Sequence, residues 1–421
     1  MADGVTAPGG PAVRVPLTTI AREWGRIGII GFGGPPAHIV LLRTLCVDNR
    51  NWLSAREFED GIAATNLLPG PASTQLAIFC AWRLRGPAGA VLGGVCFIAP
   101  GLAMILALSV LFLAGRAPLW VRGAAAGAGA AVPAVAIHAA VSLLPASWRR
   151  TAGRRGARAR WLAYLAAGAV AGATAGQFVV AVLLGCGLVE VAAGMRAAPG
   201  QPAGGVAGWL PPLAGRTLAG PAVAAGGLGA LAWVAVKVGA LSYGGGFVII
   251  PLMQHDAVVT YHWMTGAQFL NAVALGQVTP GPVVQTVAVV GYAAAGIGGG
   301  LLAALIAFLP SFVFVLAGGP HLARLRSSAR VQSFLSGAGP AAIGAIAGAA
   351  IPLARELGQL WQAGILLLAV CWLLAPFSLL ASFSLLARPS LLARRRGVVT
   401  ALLCSAGIGV IAALAGAPVS H

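Results

Sequence analysis

The sequence has little charge of either sign. Charged residues make up 9% of its 421 residues and apolar residues 59%, whereas an ordinary soluble domain contains about 25% charged residues. The mean hydropathy is +0.89. This composition excludes an ordinary soluble domain, and the strict polar and apolar alternation of a membrane β-barrel is missing as well. Repeated apolar runs of about 20 residues indicate an all-α polytopic membrane protein.

The sequence shows no close cysteine pair and no catalytic motif, and we expect no signal peptide. The six cysteines form no C-x-x-C pair, so we expect neither a metal site nor a disulfide framework. No nucleophile with an adjacent base and no phosphate-binding loop stands out, which predicts a protein that is not an enzyme and needs no cofactor. Residues 1 to 16 contain no apolar run that ends in a small-residue cleavage site. We therefore expect the first helix to direct insertion.

Arginine supplies nearly all of the positive charge. The net charge is +18, and Lys237 is the single lysine. The arginines lie in short segments between apolar runs, as the positive-inside rule predicts for cytoplasmic loops. This placement favours the lipid bilayer as a partner and gives no reason to expect a nucleic acid.

The chain contains an internal duplication. Its matched motifs are Gly33-Gly34 with Gly244-Gly245, Trp52 with Trp263, and Pro69-Gly70-Pro71 with Pro280-Gly281-Pro282. Each pair is separated by 211 residues. Further along, Gly86 matches Gly296 at a spacing of 210, so we expect a slip of one residue near Cys80. The predicted segments are a flexible tail at 1–16, a first half with extra helices at 17–195, a Pro/Gly-rich linker at 196–227, a second half at 228–354 and C-terminal helices at 355–421.

Each half opens with apolar segments that Gly/Pro motifs interrupt. In the first half the interruptions lie at residues 31–36 and 68–71, and none of the flanking pieces has the roughly 20 residues needed to cross a bilayer. We expect broken, re-entrant helical hairpins with the interruptions at their tips. Non-helical backbone at that depth must be buried in protein or line a wet cavity.

Charge indicates that the two halves face opposite sides of the membrane. Several arginines flank the first-half hairpins, whereas the matching second-half stretches carry only His255, Asp256 and His262. Two inverted repeats around a central site are a common transporter plan. Inversion requires an odd number of crossings between residues 160 and 226, which the sequence leaves open.

The interruptions also predict a binding site. The helix that follows a break presents unpaired N–H groups at the positive end of its dipole, where an oxyanion fits. The expected substrate-binding residues are Gly33, Gly34, Gly244, Gly245, Gly70 and Gly281, the neutral donors Thr74, Gln75, Gln285 and Thr286, and the cations Arg26 and Lys237. The cations stand 211 residues apart, and intramembrane charge is usually functional. Kinks for close packing, an Arg26 that reaches the interface and helix-to-helix hydrogen bonds are the alternatives.

Two carboxylates are candidates for ion coupling. Glu57 and Asp60 match Gln268 and Asn271 in the second half, so this titratable pair occurs only in the first half. The alternative is an ordinary helix cap that begins at Ser54.

The breaks and turns together resemble a known family. The motifs Gly31-Phe32-Gly33-Gly34-Pro35, Trp52-Leu53-Ser54, Leu67-Leu68-Pro69-Gly70-Pro71, Ser242-Tyr243-Gly244-Gly245-Gly246 and Gln277-Val278-Thr279-Pro280-Gly281-Pro282 resemble the chromate transporter family in its long, duplicated form. The likeness covers residues 17 to 354.

The resemblance implies a function. It implies a multi-pass protein of the bacterial inner membrane, a secondary active transporter that exports chromate and confers chromate resistance. The open alternatives are a carrier or channel for sulfate or another oxyanion, and a membrane protein that handles lipid phosphate. The expected partners are a chromate- or sulfate-like oxyanion and the bilayer, and a homodimer is left open.

Overall fold

The computed structural model describes residues 15–66, 68, 70–113, 117–151, 156–174, 176–197, 227–242, 246–318, 328–374 and 397–419. Within these ranges the chain is helical and contains no β-strand. Its helices are α1 (Leu17–Ile30), α2 (Pro35–Arg43), α3 (Ala55–Thr65), α4 (Ala72–Phe112), α5 (Leu119–Arg149), α6 (Ala157–Thr174), α7 (Val179–Ala197), α8 (Leu228–Leu241), α9 (Ile250–Gln254), α10 (Gly266–Val278), α11 (Thr286–Gly318), α12 (Ala329–Arg355), α13 (Leu360–Leu374) and α14 (Val398–Leu414).

Long apolar helices dominate the fold. Among the described residues, five segments are long and apolar enough to cross a membrane, namely Ala72–Phe112, Leu119–Arg149, Gly176–Gly194, Val283–Gly318 and Ala329–Arg355. A helix rises 1.5 Å per residue, so even about 20 residues cover the hydrocarbon core. The prediction of an all-α polytopic membrane protein is confirmed.

The same order of elements occurs twice in the described residues. α1 begins at Leu17 and α8 at Leu228, the spacing that also separates the matched sequence motifs. A π-helical turn follows at Thr44–Asn49 in the first half and at His255–Thr260 in the second. The next helix begins with a capping box in both halves, made by Ser54 with Glu57 and by Thr265 with Gln268.

Glycines with positive φ account for the breaks between the helices. Gly33 and Gly34, with φ of 100° and 72°, separate α1 from α2, and Gly70, with φ of 125°, precedes α4. The long helices α4 and α11 are kinked at Gly86 and Gly296, where φ is 61° and 64°. L-residues rarely adopt these conformations, so glycine determines where each helix stops.

The one-residue slip between the halves lies before Gln75, so the expected position near Cys80 is wrong. Gln75 contacts Gly70, and Gln285 contacts Gly281, which makes the two amides equivalent at a spacing one residue shorter than that of the breaks. α4 reaches Gln75 through four α-helical residues, whereas the second half uses the three-residue 3₁₀ turn Val283–Gln285. A 3₁₀ helix rises about 2.0 Å per residue and an α-helix about 1.5 Å, so both segments advance about 6 Å.

Close helix crossings build the core of each half. α1 packs on α4, α8 packs on α11, and α4 and α11 pack on each other. A Cβ on Gly28 would lie 2.6 Å from the Phe97 carbonyl oxygen, and one on Gly239 would lie 2.1 Å from that of Ala307. Small residues permit this approach of backbones in membrane proteins. The two crossings occupy equivalent positions in the halves.

In its described residues, the region between the halves contains two helices, and the sequence had left the number of crossings there open. α6 and α7 are joined by a 3₁₀ turn at Gly176–Phe178. Residues 198–226, which include most of the predicted linker, lie outside the described residues, as do residues 1–14 and 375–396. The inverted orientation of the halves and the segment boundaries therefore stay predictions.

Candidate functional site

The breaks of the two halves meet through a reciprocal pair of backbone hydrogen bonds. The Gly70 N–H donates to the Ser242 carbonyl at 3.0 Å, and the Gly281 N–H donates to the Gly31 carbonyl at 3.1 Å. Both donors and both acceptors are repeat-related positions of the two halves. Each half thus contacts the other through the same pair of repeat positions. The second break of each half, at Gly70 or Gly281, is therefore joined to the end of the first helix of the other half, where the first break begins. We call this region the junction.

Both second breaks require glycine. At Gly70 a Cβ would lie 2.4 Å from the Gln75 amide nitrogen, and at Gly281, with φ of 107°, it would lie 3.0 Å from the Gln285 amide. Both glycines are buried. The side chain of Gln75 or Gln285 thus packs directly on the backbone of the break that precedes it.

The first breaks lie against the same junction. A Cβ on Gly34 would lie 3.8 Å from the Val283 side chain, and one on Gly246, with φ of 89°, 3.3 Å from that of Val284. Gly33 lies beside Gly34 and is exposed. Gly244 and Gly245, both predicted site residues, lie outside the described residues.

The four predicted neutral donors are all buried at this junction, and hydrogen bonds within the protein already engage part of them. Gln285 Nε2 donates to the Ile98 carbonyl at 2.9 Å, and Thr286 Oγ1 donates to the Val283 carbonyl at 2.8 Å. Thr74 and Gln75 are fully buried on the first turn of α4. The Thr74 hydroxyl has no hydrogen-bond partner among the described residues.

Further buried polar atoms without a partner in the described part of the chain lie near the breaks. They are Ser242 Oγ, Ser311 Oγ, Gln277 Nε2 and Gln285 Oε1. Ser311 Oγ lies 3.2 Å from the position of a Cβ on Gly70, and Ser242 carries the carbonyl that Gly70 contacts. An unpartnered buried polar group costs about 1–3 kcal/mol, so a cluster of them indicates a place for water or a polar ligand. Neither serine was predicted from the sequence.

The two repeat-related cations are each held by a different carboxylate. Lys237 Nζ lies 2.5 Å from Asp256 Oδ2, and their side chains are 19% and 8% exposed. Arg26 Nη1 lies 3.6 Å from Glu23 Oε2, and the Arg26 side chain is 67% exposed. Of the two pairs, only that of Lys237 is largely removed from solvent. Neither partnership was predicted, although a chain with nine acidic residues offers few counter-ions for an intramembrane cation.

Glu23 is the centre of a positively charged cluster. Its carboxylate lies 3.4 Å from Arg22, 3.6 Å from Arg26 and 3.5 Å from Arg50. Glu23 is 6% exposed, whereas the three arginine side chains are between 49% and 72% exposed. Three guanidinium groups around one carboxylate leave an excess of positive charge that faces outward. The second half has no such cluster in its described residues.

The predicted coupling carboxylates lie at the start of α3. Glu57 accepts hydrogen bonds from the Ser54 N–H at 3.0 Å and forms an ion pair with Arg83. Burial acts to raise the pKa of Glu57, but hydrogen bonds from Ser54 and Arg83 outweigh burial and lower the pKa below its ordinary value. Asp60 lies on the exposed side of α3. Glu57 therefore forms the helix cap that was the alternative interpretation, and its role in coupling stays a prediction.

Comparison with known proteins identifies the family. The family model for chromate transporters matches residues 18–191 and 229–410, which together cover most of the chain. The chain belongs to the chromate transporter family. The two matched stretches of this chromate transporter family member begin at residues 18 and 229, the same spacing that relates its helices.

Curated relatives of this family align along most of their length. A "Chromate transport protein" of Cupriavidus metallidurans is 32% identical over 347 residues, 81% of this chain and 83% of the relative. A protein of the same name in Pseudomonas aeruginosa is 32% identical over 351 residues, 79% of this chain and 80% of the relative. A "Probable chromate transport protein" of Synechococcus elongatus is 29% identical over 350 residues, 81% of this chain and 85% of the relative. No solved structure matches the chain.

Membership in the chromate transporter family fits a multi-pass membrane protein, and the junction shows how this member organises its centre. The central breaks bring together Gly70, Gly281 and the buried donors on α4 and α11. The charged side chains lie outside this centre, on the helices that lead to it. α8 places Lys237 five residues before Ser242, about 7.5 Å along the helix axis.

Proposed function

We propose that this protein is a secondary active transporter that exports chromate across the bacterial inner membrane and thereby confers chromate resistance. The observation that carries the proposal is the junction of broken helices, where buried hydroxyl and amide atoms that have no partner among the described residues lie near the reciprocal contacts of Gly70 and Gly281. Family membership and the names of the relatives support chromate as the substrate.

The proposed site takes a tetrahedral dianion at the junction. Gly33, Gly34, Gly244, Gly245, Gly70 and Gly281 supply backbone that a small anion can approach, and Thr74, Gln75, Gln285 and Thr286 supply neutral donors. Hydroxyl and amide donors hydrogen-bond strongly to an oxyanion because the acceptor is charged, whereas the N–H groups of Gly70 and Gly281 are engaged across the junction. Ser242 and Ser311, which the structure adds, supply two further hydroxyls. A second pair of groups must balance the charge, and we assign Arg26 and Lys237 to this role.

The charge distribution gives the anion a route. The cluster of Glu23 with three arginines produces a positive field on the first half, and such fields raise the local concentration of anions. The positive-inside rule places this arginine-rich side in the cytoplasm. Chromate would therefore be collected from the cytoplasm, bind between the halves, and leave when one half rocks against the other around the junction.

A matched pair of serine variants tests the site. Ser311 on α11 and Ser109 on α4 are both fully buried, but Ser109 Oγ donates to the Ile105 carbonyl at 2.7 Å, whereas Ser311 Oγ has no partner among the described residues. Chromate uptake into everted membrane vesicles reports export. Ser311→Ala should raise the KM for chromate about tenfold, because a hydrogen bond to a charged group contributes about 1.5–3 kcal/mol. Ser109→Ala should leave the KM within about twofold.

Other outcomes would redirect the proposal. Equal KM values in the two variants, at equal protein levels, would remove Ser311 and the junction from the binding site. Uptake of sulfate with no chromate transport would assign a different oxyanion to the same site. Flux that does not saturate with chromate concentration would favour a channel. An altered lipid composition on deletion, with no oxyanion flux, would favour a protein that handles lipid phosphate.

A further inference from the structure

The Lys237–Asp256 ion pair is a feature of the second half alone. Asp256 lies on the π-helical turn that follows α9, and Lys237 lies on α8. The equivalent positions in the first half are Leu45 and Arg26, so the first half has no carboxylate at the position of Asp256. A π-helical turn is uncommon and often marks a functional site. The first-half turn does carry Asp48, three residues further along, but a carboxylate at the position of Asp256 occurs only in the half whose cation is buried.

The elements around Asp256 offer it few charged partners besides Lys237. The elements that pack on its turn are α9, α10 and the 3₁₀ turn Gly176–Phe178, and none of them carries a titratable side chain. The turn itself adds His255, which contacts Thr260, and is followed by Tyr261 and His262. Burial and the Asp256 charge raise the pKa of the Tyr261 phenol.

More distant charged groups lie on the neighbours of these elements. α12 packs on α9 and carries Arg330 near one end and Arg355 at the other. Glu356 follows α12 and lies against Gly266, where α10 begins. In the described part of the chain, the contact that balances the Asp256 carboxylate is therefore the one with Lys237.

A buried ion pair of this kind is seldom a device for stability alone. Removing two charges from water costs about as much as their attraction returns, and an apolar pair of similar volume is often as stable. The pair lies about 7.5 Å along α8 from Ser242, whose carbonyl belongs to the junction. In this structure Asp256 is therefore paired with Lys237, the cation that we assign to chromate binding.

We propose that Asp256 is a displaceable counter-ion that couples chromate to a proton. This inference rests on the proposed function. When the dianion binds Lys237, the Asp256 carboxylate loses its partner and takes up one proton from the aqueous side that the site faces. No bond of the oxyanion changes, and one O–H bond forms on Asp256. On the other side the anion leaves, the proton is released, and the ion pair forms again.

Chromate binding favours protonation of Asp256 for an electrostatic reason. Arg26 and Lys237 balance the two charges of the dianion but not the Asp256 carboxylate as well, and in a site of low dielectric like charges at close range disfavour the ionised form of the weaker acid. Protonation of Asp256 removes one negative charge. Each cycle would then carry a net charge of −1 outward, so the inside-negative membrane potential still favours export.

The reversal potential of chromate flux in proteoliposomes of the full-length protein tests this coupling. With one proton and a net charge of −1, a tenfold chromate gradient is balanced by about 59 mV, and a tenfold proton gradient shifts that potential by the same amount. The Asp256→Asn variant cannot carry the coupled proton, so each transport cycle moves a net charge of −2. The variant should balance the same chromate gradient at about 30 mV and show no response to the pH gradient.

Glu190→Gln is the matched control. Glu190 is a buried carboxylate that pairs with Arg160 at 2.8 Å on helices remote from the breaks in sequence. Its variant should keep the reversal potential of the wild type. A wild-type potential that ignores pH, or an Asp256→Asn variant that keeps the wild-type response, would overturn the coupling and leave chromate transport intact. Absence of any chromate flux in the wild type would instead overturn the proposed function.

A second measurement uses the wild-type protein, in case Asp256→Asn does not fold. Hydrophobic carbodiimides add to protonated, buried carboxyl groups, and mass spectrometry locates the product. Saturating chromate should accelerate modification of Asp256 severalfold and leave that of Glu190 unchanged. A rate at Asp256 that chromate does not raise would contradict displacement of the carboxylate.

Discussion

The two halves of the molecule share a backbone plan and divide the chemistry between them. The breaks, π-helical turns, capping boxes and helix crossings occur in both, at equivalent positions of the repeat. The first half carries the exposed positive cluster around Glu23, whereas the second half carries the buried Lys237–Asp256 pair and the hydroxyls of Ser242 and Ser311. Duplication thus fixes where helices break, and the side chains at equivalent positions are free to differ in function.

The largest expected difference between the halves lies in their cations. Lys237→Met leaves Asp256 buried without its partner, which should destabilise the protein by about 3–5 kcal/mol. Arg26→Met leaves Arg22 and Arg50 beside Glu23, so we expect a loss within about 1 kcal/mol, as for other exposed ion pairs. Thermal unfolding in detergent compares the two variants.

The double variant Lys237→Met with Asp256→Asn serves as the control for this comparison. Removing both charges should recover much of the lost stability, because no orphan charge remains. If Arg26→Met proved as destabilising as Lys237→Met, the contrast between an exposed cluster and a buried pair would be wrong.

The second breaks allow a direct test of the junction from both sides. Gly70→Ala places a Cβ 2.4 Å from the Gln75 amide and Gly281→Ala places one 3.0 Å from the Gln285 amide, both at positive φ. We expect each to reduce chromate transport at least tenfold, with Gly70→Ala the more severe, since backbone strain of this kind costs about 1–3 kcal/mol. Gly298→Ala, in open space on a regular turn of α11, should transport normally. Normal flux in Gly70→Ala would show that the junction tolerates displacement.

The smallest expected difference concerns the two capping boxes. Ser54→Ala and Thr265→Ala should each cost about 1 kcal/mol. Only the first box titrates, because its partner is Glu57 and that of Thr265 is Gln268. The pKa of Glu57 is lowered in the folded protein, so its contribution is complete above the unfolded pKa and is lost as pH falls through the folded pKa.

Melting curves across acidic pH separate the boxes. The effect of Ser54→Ala should shrink on acidification, whereas that of Thr265→Ala should stay constant. A constant effect of Ser54→Ala would mean that Glu57 adds nothing to its box.

Much of the scaffold follows from the sequence. Glycine and proline interrupt the apolar runs, so the ends of α1 and α3 were predictable to within a turn of helix, and the duplication gave the second half its register. The neutral donors were found because they follow the breaks directly. The position of the one-residue slip between the halves was predicted wrongly. A 3₁₀ turn and an α-helical turn can cover the same axial length with different numbers of residues, and no residue pattern reveals this difference.

The partners across the molecule were not predictable in the same way. Nothing in the local sequence of Gly70 says that its N–H donates to Ser242, in the other half of the chain. Glu23 and Asp256 do not stand out among the repeated residues, because both replace apolar residues of the other half. Ser311 was missed for the same reason, since its equivalent is Gly101.

The reciprocal contacts also determine when each half can fold during synthesis. A ribosome delivers Gly70 long before Ser242, so a first half that inserts as the predicted re-entrant hairpin does so before its acceptor exists. Hydrocarbon offers no substitute for a missing hydrogen bond. The nascent first half must therefore wait at the insertion machinery, or keep its tip in water, until α8 arrives. Only after Gly281 has been added can both backbone hydrogen bonds of the junction form.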